Sequence, residues 1–306
     1  MRIGVNLGDW MVGSDLDGLV GATQRLEERG FASASTPNVF GLDAINALSV
    51  VGRETERIEL VTAVVPTYPR HPLALAQQAL TAQVACGGRF VLGIGLSHQI
   101  VIEGMFGMSF ERPARHMREY LQVLGPLLEG ESVQHSGEVY RVAAGLRFKG
   151  TPRVSTLVAA LGPAMLDVAG RLSDGTITWM TGLKTLETHI VPRIREAAKE
   201  AGRPDPRVVA GFPIAITNEP DKAREAAGKM FKMYGTLPSY RAMLDREGAS
   251  SPGDVAIVGD AATVEAELRR LEAAGVTDFG ASPFRVDEGA VERTLDFLAT
   301  QTGESA

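Results

Sequence analysis

Eight times along the chain, a short run rich in β-branched residues gives way to a loop and then to a stretch of helical period. The runs are residues 3–7, 31–36, 58–65, 90–95, 154–160, 175–180, 208–216 and 276–281. The helical stretches are residues 17–29, 42–53, the segment opened by Pro72, 113–128, 163–172, 183–201, 220–234 and 289–300, with a further one at 262–274 before the last strand. Gly30 suits the end of the first helix, and Pro72 the first position of the third. The run at 58–65 is almost all Val, Ile, Leu, Thr and Ala, as a strand covered on both faces requires. Eight strand–helix units predict a (β/α)8 TIM barrel. An open doubly wound sheet seldom repeats so often without a domain break.

The rhythm is interrupted twice, after strands 4 and 7. Residues 96–150 hold a helix at 113–128 and a hairpin around His135-Ser136-Gly137-Glu138, and residues 235–260 read as loop-rich. Both interruptions lie on strand-to-helix connections, which project from the C-terminal face where barrel active sites sit. No low-complexity segment or linker divides the chain, so residues 1–306 are expected to form one domain.

Composition excludes several classes. The single cysteine, Cys86, rules out an intrachain disulfide. Net charge is −6, and no basic tract points to nucleic acid. No apolar run is long enough for a membrane span, and the first residues lack a signal-peptide core. The expectation is a cytoplasmic protein with a small-molecule substrate. The five histidines, at 71, 98, 116, 135 and 189, have no metal-ligand spacing, and residues 6–9 read Asn-Leu-Gly-Asp where a metal-dependent barrel hydrolase would carry His-x-His. No metal is expected. There is no Gly-x-Ser-x-Gly elbow and no P-loop. Arg112, Arg115, His116 and Arg118 share one helix, and that face reads as solvated or paired with Glu111 and Glu119.

Three stretches carry chemistry. Gly93-Ile94-Gly95-Leu96-Ser97-His98 starts like a dinucleotide fingerprint, but His98 stands where the third glycine belongs, and the pair follows the fourth strand. Glycines there let a flat ring or phosphate approach the backbone, or simply make a tight turn. Pro66, Pro69 and Pro72 stiffen the loop after strand 3, either as a plain connection or as a ridge facing the barrel mouth. Ala159-Ala160-Leu161-Gly162-Pro163 puts small residues at a helix N-terminus, a site for anions. Exposed dipole contacts are worth only ~0.3–1 kcal/mol, so a phosphate would also want a cation. Arg285 and Lys184 are the candidates.

Taken in order, residues 62–72, 89–98 and 159–163, with Asp174-Gly175 and residues 276–279, resemble the bacterial luciferase-like superfamily. Within it the chain is similar to the deazaflavin-dependent oxidoreductases of actinobacteria. The resemblance covers nearly the whole chain. It implies a barrel with inserted segments, a homodimer, and coenzyme F-420 or FMN at the C-terminal mouth. By resemblance, Thr62, Ala63 and Val64 form a bulge behind the ring, often with a non-prolyl cis peptide. Gly95, Leu96, Ser97 and His98 would line the ring and ribityl chain. Ala159, Ala160 and Gly162, with Thr181, Gly182 and Arg285, would hold the phosphate. Asp9, Trp10, Asn38, His98 and Trp179 would face substrate, with His98, Asn38 and Asp9 as the catalytic candidates.

Two departures bear on substrate. Sugar-phosphate dehydrogenases of the family carry an acidic residue near the position of His98 and a His–Trp pair after strand 2. Here strand 2 ends in Ser35-Thr36-Pro37-Asn38. The implied reaction is hydride transfer between coenzyme F-420 and an unidentified small organic molecule, with a flavin or F-420 reductase as redox partner. The alternatives are an FMN-dependent monooxygenase using reduced flavin and O2, and a non-catalytic flavin-binding protein.

Overall fold

The computed structural model describes residues 1–302 apart from 9, 10, 12, 14 and 149. Eight parallel strands close into a barrel: β1 (Arg2–Asn6), β2 (Ser33–Thr36), β3 (Glu59–Thr62), β5 (Phe90–Gly95), β8 (Ser155–Val158), β9 (Gly175–Trp179), β10 (Arg207–Ile216) and β12 (Asp278–Pro283). Closure is through β12, which pairs with β1 on one side and β10 on the other. Four strands lie off the ring. β4 (Val65–Pro66) extends onto β5, β11 (Ile257–Gly259) adds to the end of β10, and β6 (Val133–Ser136) with β7 (Arg141–Ala144) makes an antiparallel hairpin.

Helices surround the ring, and their ends follow from sequence. Asp15, Asp43 and Asp260 accept from backbone N–H groups of the helices Leu16–Glu28, Ala44–Val51 and Ala261–Ala273. Pro72 and Pro163 occupy first turns, where a missing N–H costs nothing.

Strand 3 is not the continuous 58–65 run that composition suggests. It stops at Thr62, passes a cis Ala63–Val64 peptide, and resumes as β4 against Ile94 and Gly95. The 235–260 segment is not loop-rich. It holds a 3-10 turn (Lys232–Thr236), a helix (Pro238–Glu247) and a second 3-10 turn (Pro252–Val255) before β11. Only Met243 and Leu244 of that helix are buried, so its apolar stripe is too thin to read. Its boundaries were nevertheless written in Pro238 at the start and Gly248, with φ 83°, at the end.

The helix Pro113–Leu128 stands where expected, but His116 is not on a solvated face. It is buried, with its Nε2 3.0 Å from the Thr67 hydroxyl and its ring stacked at 3.9 Å on Tyr68. Glu119 is also turned inward. It accepts from the N–H groups of Glu138, Val139 and Tyr140 and so ties the β6–β7 turn to the helix. Arg112 and Arg115 pair instead with Glu138.

Inside the ring, Val61, Val91 and Leu157 make a small apolar cluster with Ile177 and Val209. The facing strands present Gly4, Ser33 and Gly280, which are too small to meet it. Barrel interiors are usually filled by branched side chains. This one is left partly open.

Candidate active site

The two glycines of β5 are explained by their neighbours. A Cβ on Gly93 would lie 1.9 Å from the Thr62 carbonyl oxygen, and one on Gly95 would lie 2.7 Å from Val64 Cγ2 and 3.2 Å from Ala159 Cβ. Thr62 completes the join. Its hydroxyl accepts from Gly93 N–H at 2.8 Å and donates to Gly93 C=O at 2.8 Å. Thr62 therefore faces the strand, and the bulge at Ala63 and Val64 turns toward the barrel mouth.

That bulge forms part of the bed of a cavity of about 920 Å³ at the C-terminal face. Val64, Gly95 and Ala159 continue the bed, and Leu96, Ser97, His98, Leu161, Gly162 and Trp179 line the cavity too. Ser97 takes the left-handed conformation, φ 60°, which redirects the chain between β5 and the His98 position. Trp179 sits edge-on to Phe231 at 5.5 Å, in space that Gly211 leaves beside it.

The roof comes from the second insertion. Tyr240, on the helix Pro238–Glu247, places its ring 6.0 Å from that of His98, and Tyr234 lies 5.0 Å from Tyr240. Burial lowers the pKa of His98, so its imidazole is neutral near pH 7. Burial, with Tyr234 beside it, raises that of Tyr240, so the phenol keeps its proton. The pair places a neutral imidazole and a protonated phenol together in the cavity lining.

The cavity reaches down to an ionic floor. Arg207 lies 2.7 Å from Asp278 and 2.8 Å from Glu59, and Arg2 approaches both carboxylates. Burial alone would lower the Arg207 pKa, but hydrogen bonds and charge from Asp278 and Glu59 outweigh it and raise it. Higher on the wall, Asn6 has a buried Oδ1 with no partner among the described residues.

Several expected residues are not brought to this cavity. Asn38 uses its Oδ1 to accept from Ala44 N–H at 3.0 Å, a structural bond at a helix start, while Pro37 and Val39 beside it line the cavity. Ala160 is buried behind the wall. Arg285 lines a separate, smaller cavity with Arg25, Arg29 and Phe284. Thr181 and Gly182 do not line the main cavity, because the chain itself fills that turn. The Glu247 carboxylate accepts from Lys184 N–H, Thr185 N–H and the Thr185 hydroxyl, and lies where a Cβ on Gly182 would be. Gly162 differs. A Cβ there would meet nothing within 4 Å, so the start of helix Pro163–Leu172 is open to the cavity. Asp9 and Trp10 lie outside the described residues.

The luciferase-like monooxygenase family matches residues 4–278 of the chain. The chain belongs to the luciferase-like monooxygenase family. As a luciferase-like protein it is 31% identical over 209 residues to the 5,10-methylenetetrahydromethanopterin reductase of Archaeoglobus fulgidus, covering 66% of this chain and 61% of that one. The match thus spans under two thirds of that relative. It is 30% identical over 257 residues to the same-named reductase of Methanolobus tindarius, covering 82% and 77%. An F-420-dependent glucose-6-phosphate dehydrogenase of Mycolicibacterium fortuitum is 30% identical over 182 residues, covering 57% and 54%. Among solved structures, the F-420-dependent tetrahydromethanopterin reductase of Methanopyrus kandleri superposes with a TM-score of 0.81 at 23% identity, covering 97% of each chain. That likeness establishes the luciferase-like barrel fold. No helix among the described residues is long and apolar enough to cross a membrane.

Proposed function

We propose that this luciferase-like chain is an oxidoreductase that transfers hydride between coenzyme F-420 and a small organic substrate. The observation that carries the reading is the apolar bed of Ala63, Val64, Gly95 and Ala159 set opposite the His98–Tyr240 pair. The names of the curated relatives supply the cofactor.

The residues present fit that cofactor. The bed is apolar, as a tricyclic ring requires, and the unpartnered Asn6 Oδ1 would suit a ring N–H donor. The open Gly162 end of helix Pro163–Leu172 points backbone donors toward a phosphate. Bound there, a deazaflavin supplies a carbon that accepts or gives hydride.

The chain supplies the rest. The bed fixes the ring face, and the two insertions shed water from the space above it. With an alcohol as substrate, the hydride would pass to the bound deazaflavin and the neutral His98 imidazole would take the hydroxyl proton. In the reverse direction His98 would return that proton to the carbonyl oxygen, and the Tyr240 hydroxyl would donate a hydrogen bond to it. A positioned acid or base of this kind is worth about 10²–10⁴-fold.

Titration of the purified protein with coenzyme F-420 and with FMN tests the reading. Saturable F-420 binding, with FMN weaker, is expected. Tight FMN binding with no detectable F-420 binding overturns it in favour of a flavin monooxygenase.

A further inference from the structure

Charge is distributed unevenly around the cavity. Among its described lining residues only Glu103, Arg207 and Asp278 carry formal charge. Arg207 and Asp278 lie on the floor and neutralise one another, with Glu59 on the far side of Arg207. The space above the bed therefore meets no free cation among the described residues. Its walls are Leu96, Ile100, Phe110, Leu161, Met165 and Trp179, with Gln99 and Ser239 as polar contacts. Three basic groups of the mouth loops are engaged, Arg70 with Asp43, and Arg112 and Arg115 with Glu138.

Glu103 is the one charge on the upper wall. It ends the short helix Gln99–Gly104, and its carboxylate accepts from Gln99 Nε2 at 3.0 Å and from Phe110 N–H at 3.3 Å. Both bonds hold it at the cavity edge. Its side chain is exposed and sets a formal negative charge at the entrance.

We infer that the site takes an uncharged, largely apolar substrate bearing a carbonyl or hydroxyl group, and that Glu103 bars anionic ones. The inference rests on reading this cavity as the substrate site. An anion brought between these upper walls, away from the open helix end at Gly162, loses its hydration and finds no counter-ion, a cost of several kcal/mol. Repulsion from Glu103 adds to that cost. A neutral molecule loses little and gains the apolar walls. Phosphorylated sugars are thus excluded by chemistry, although a relative is named for one.

Two fluorophores with one skeleton test this without turnover, in excess inorganic phosphate that occupies the Gly162 helix end: neutral phenylnaphthylamine, and anilinonaphthalene sulfonate. Emission sensitised by Trp179, taken as the part lost in Trp179→Phe, is weighted toward dye in the cavity over dye on the outer surface. The neutral dye is expected to bind at least about tenfold more tightly than the sulfonate. Glu103→Gln is expected to narrow that ratio about threefold or more, without changing neutral binding. Equal or tighter sulfonate binding at Trp179, no neutral binding there, or a ratio unmoved by Glu103→Gln overturns the inference. Coenzyme F-420 titration of the same samples keeps the two readings apart. Lost F-420 binding with the dye preference intact defeats the hydride-transfer assignment and leaves this one standing.

Discussion

His98 and Tyr240 face each other across the barrel mouth with ring centroids 6.0 Å apart and planes tilted by 57°. One follows β5 and the other sits on a helix of the second insertion. The cavity mouth is therefore closed by segments far apart in sequence. His98→Gln should lower the hydride-transfer step by about tenfold or more while cofactor affinity stays near wild type. Single-turnover absorbance and cofactor titration measure the two quantities. An unchanged step with a true substrate would remove His98 from the chemistry.

Glu247 latches the Tyr240 helix to the short helix Leu183–Thr185 that follows β9 through three hydrogen bonds. Glu247→Ala should loosen residues 238–247 and raise KM more than it lowers kcat. Charged hydrogen bonds of this kind contribute about 1.5–3 kcal/mol each, so amide exchange in that helix should speed up measurably. Glu247→Gln keeps an acceptor and should restore part of the protection. Exchange indifferent to both changes would show that the latch holds nothing.

Gly93 and Gly280 both face the barrel interior, but only the first is crowded. A Cβ on Gly280 meets nothing nearer than 3.5 Å, whereas one on Gly93 strikes the Thr62 carbonyl. Gly93→Ala should cost at least about 1–3 kcal/mol by overpacking, and Gly280→Ala should cost little. Urea unfolding of the two variants, side by side, decides it. Equal losses would place the crowding elsewhere.

Arg207→Met removes the cation that two carboxylates share at the barrel floor. Asp278 is buried and Arg2, at 3.2 Å, compensates it only in part, so the loss should fall below the roughly 3–5 kcal/mol of an uncompensated buried charge. Arg207→Lys keeps a cation there and should recover part of the loss. Denaturant midpoints of the two variants give the test, and equal deficits would argue against an electrostatic cause.

His116 should make the fold acid-sensitive. Burial lowers its pKa from 6.5 to about 4, against a smaller opposing pull from Glu119. The unfolded chain then binds a proton that the folded chain refuses between pH 6.5 and about 4. Its contribution is present above pH 6.5 and is lost as pH falls through that window, up to roughly 3 kcal/mol. His116→Phe keeps a ring against Tyr68 and should flatten the slope by about one proton. A slope unchanged in that variant would assign it to other groups.

The barrel was legible because its signal is a repeat. Strands such as 90–95 and 208–216 are apolar on both faces, and each helix is announced by Asp, Pro or Gly at its ends. The bed at Ala63, Val64 and Gly95 was legible through the motifs around it. What escaped depends on where side chains point. Asn38 follows strand 2 as a catalytic amide would, yet its oxygen turns back to Ala44. Thr181 and Gly182 look like an anion turn, yet Glu247 reaches them from sixty-odd positions away. Tyr240 was invisible because its helix buries two apolar residues and shows no period.

The contact between Gly93 and the Thr62 carbonyl changes what a glycine pair on this strand reports. A side chain is forbidden there by the chain's own backbone, whether or not a ring ever lies above it. A related barrel that had lost its ligand would still be held to glycine at this position for as long as it kept the bend in the neighbouring strand. The pair is therefore a marker of barrel geometry, and evidence for the bound molecule has to come from the open groups around it, Asn6 and Gly162 among them.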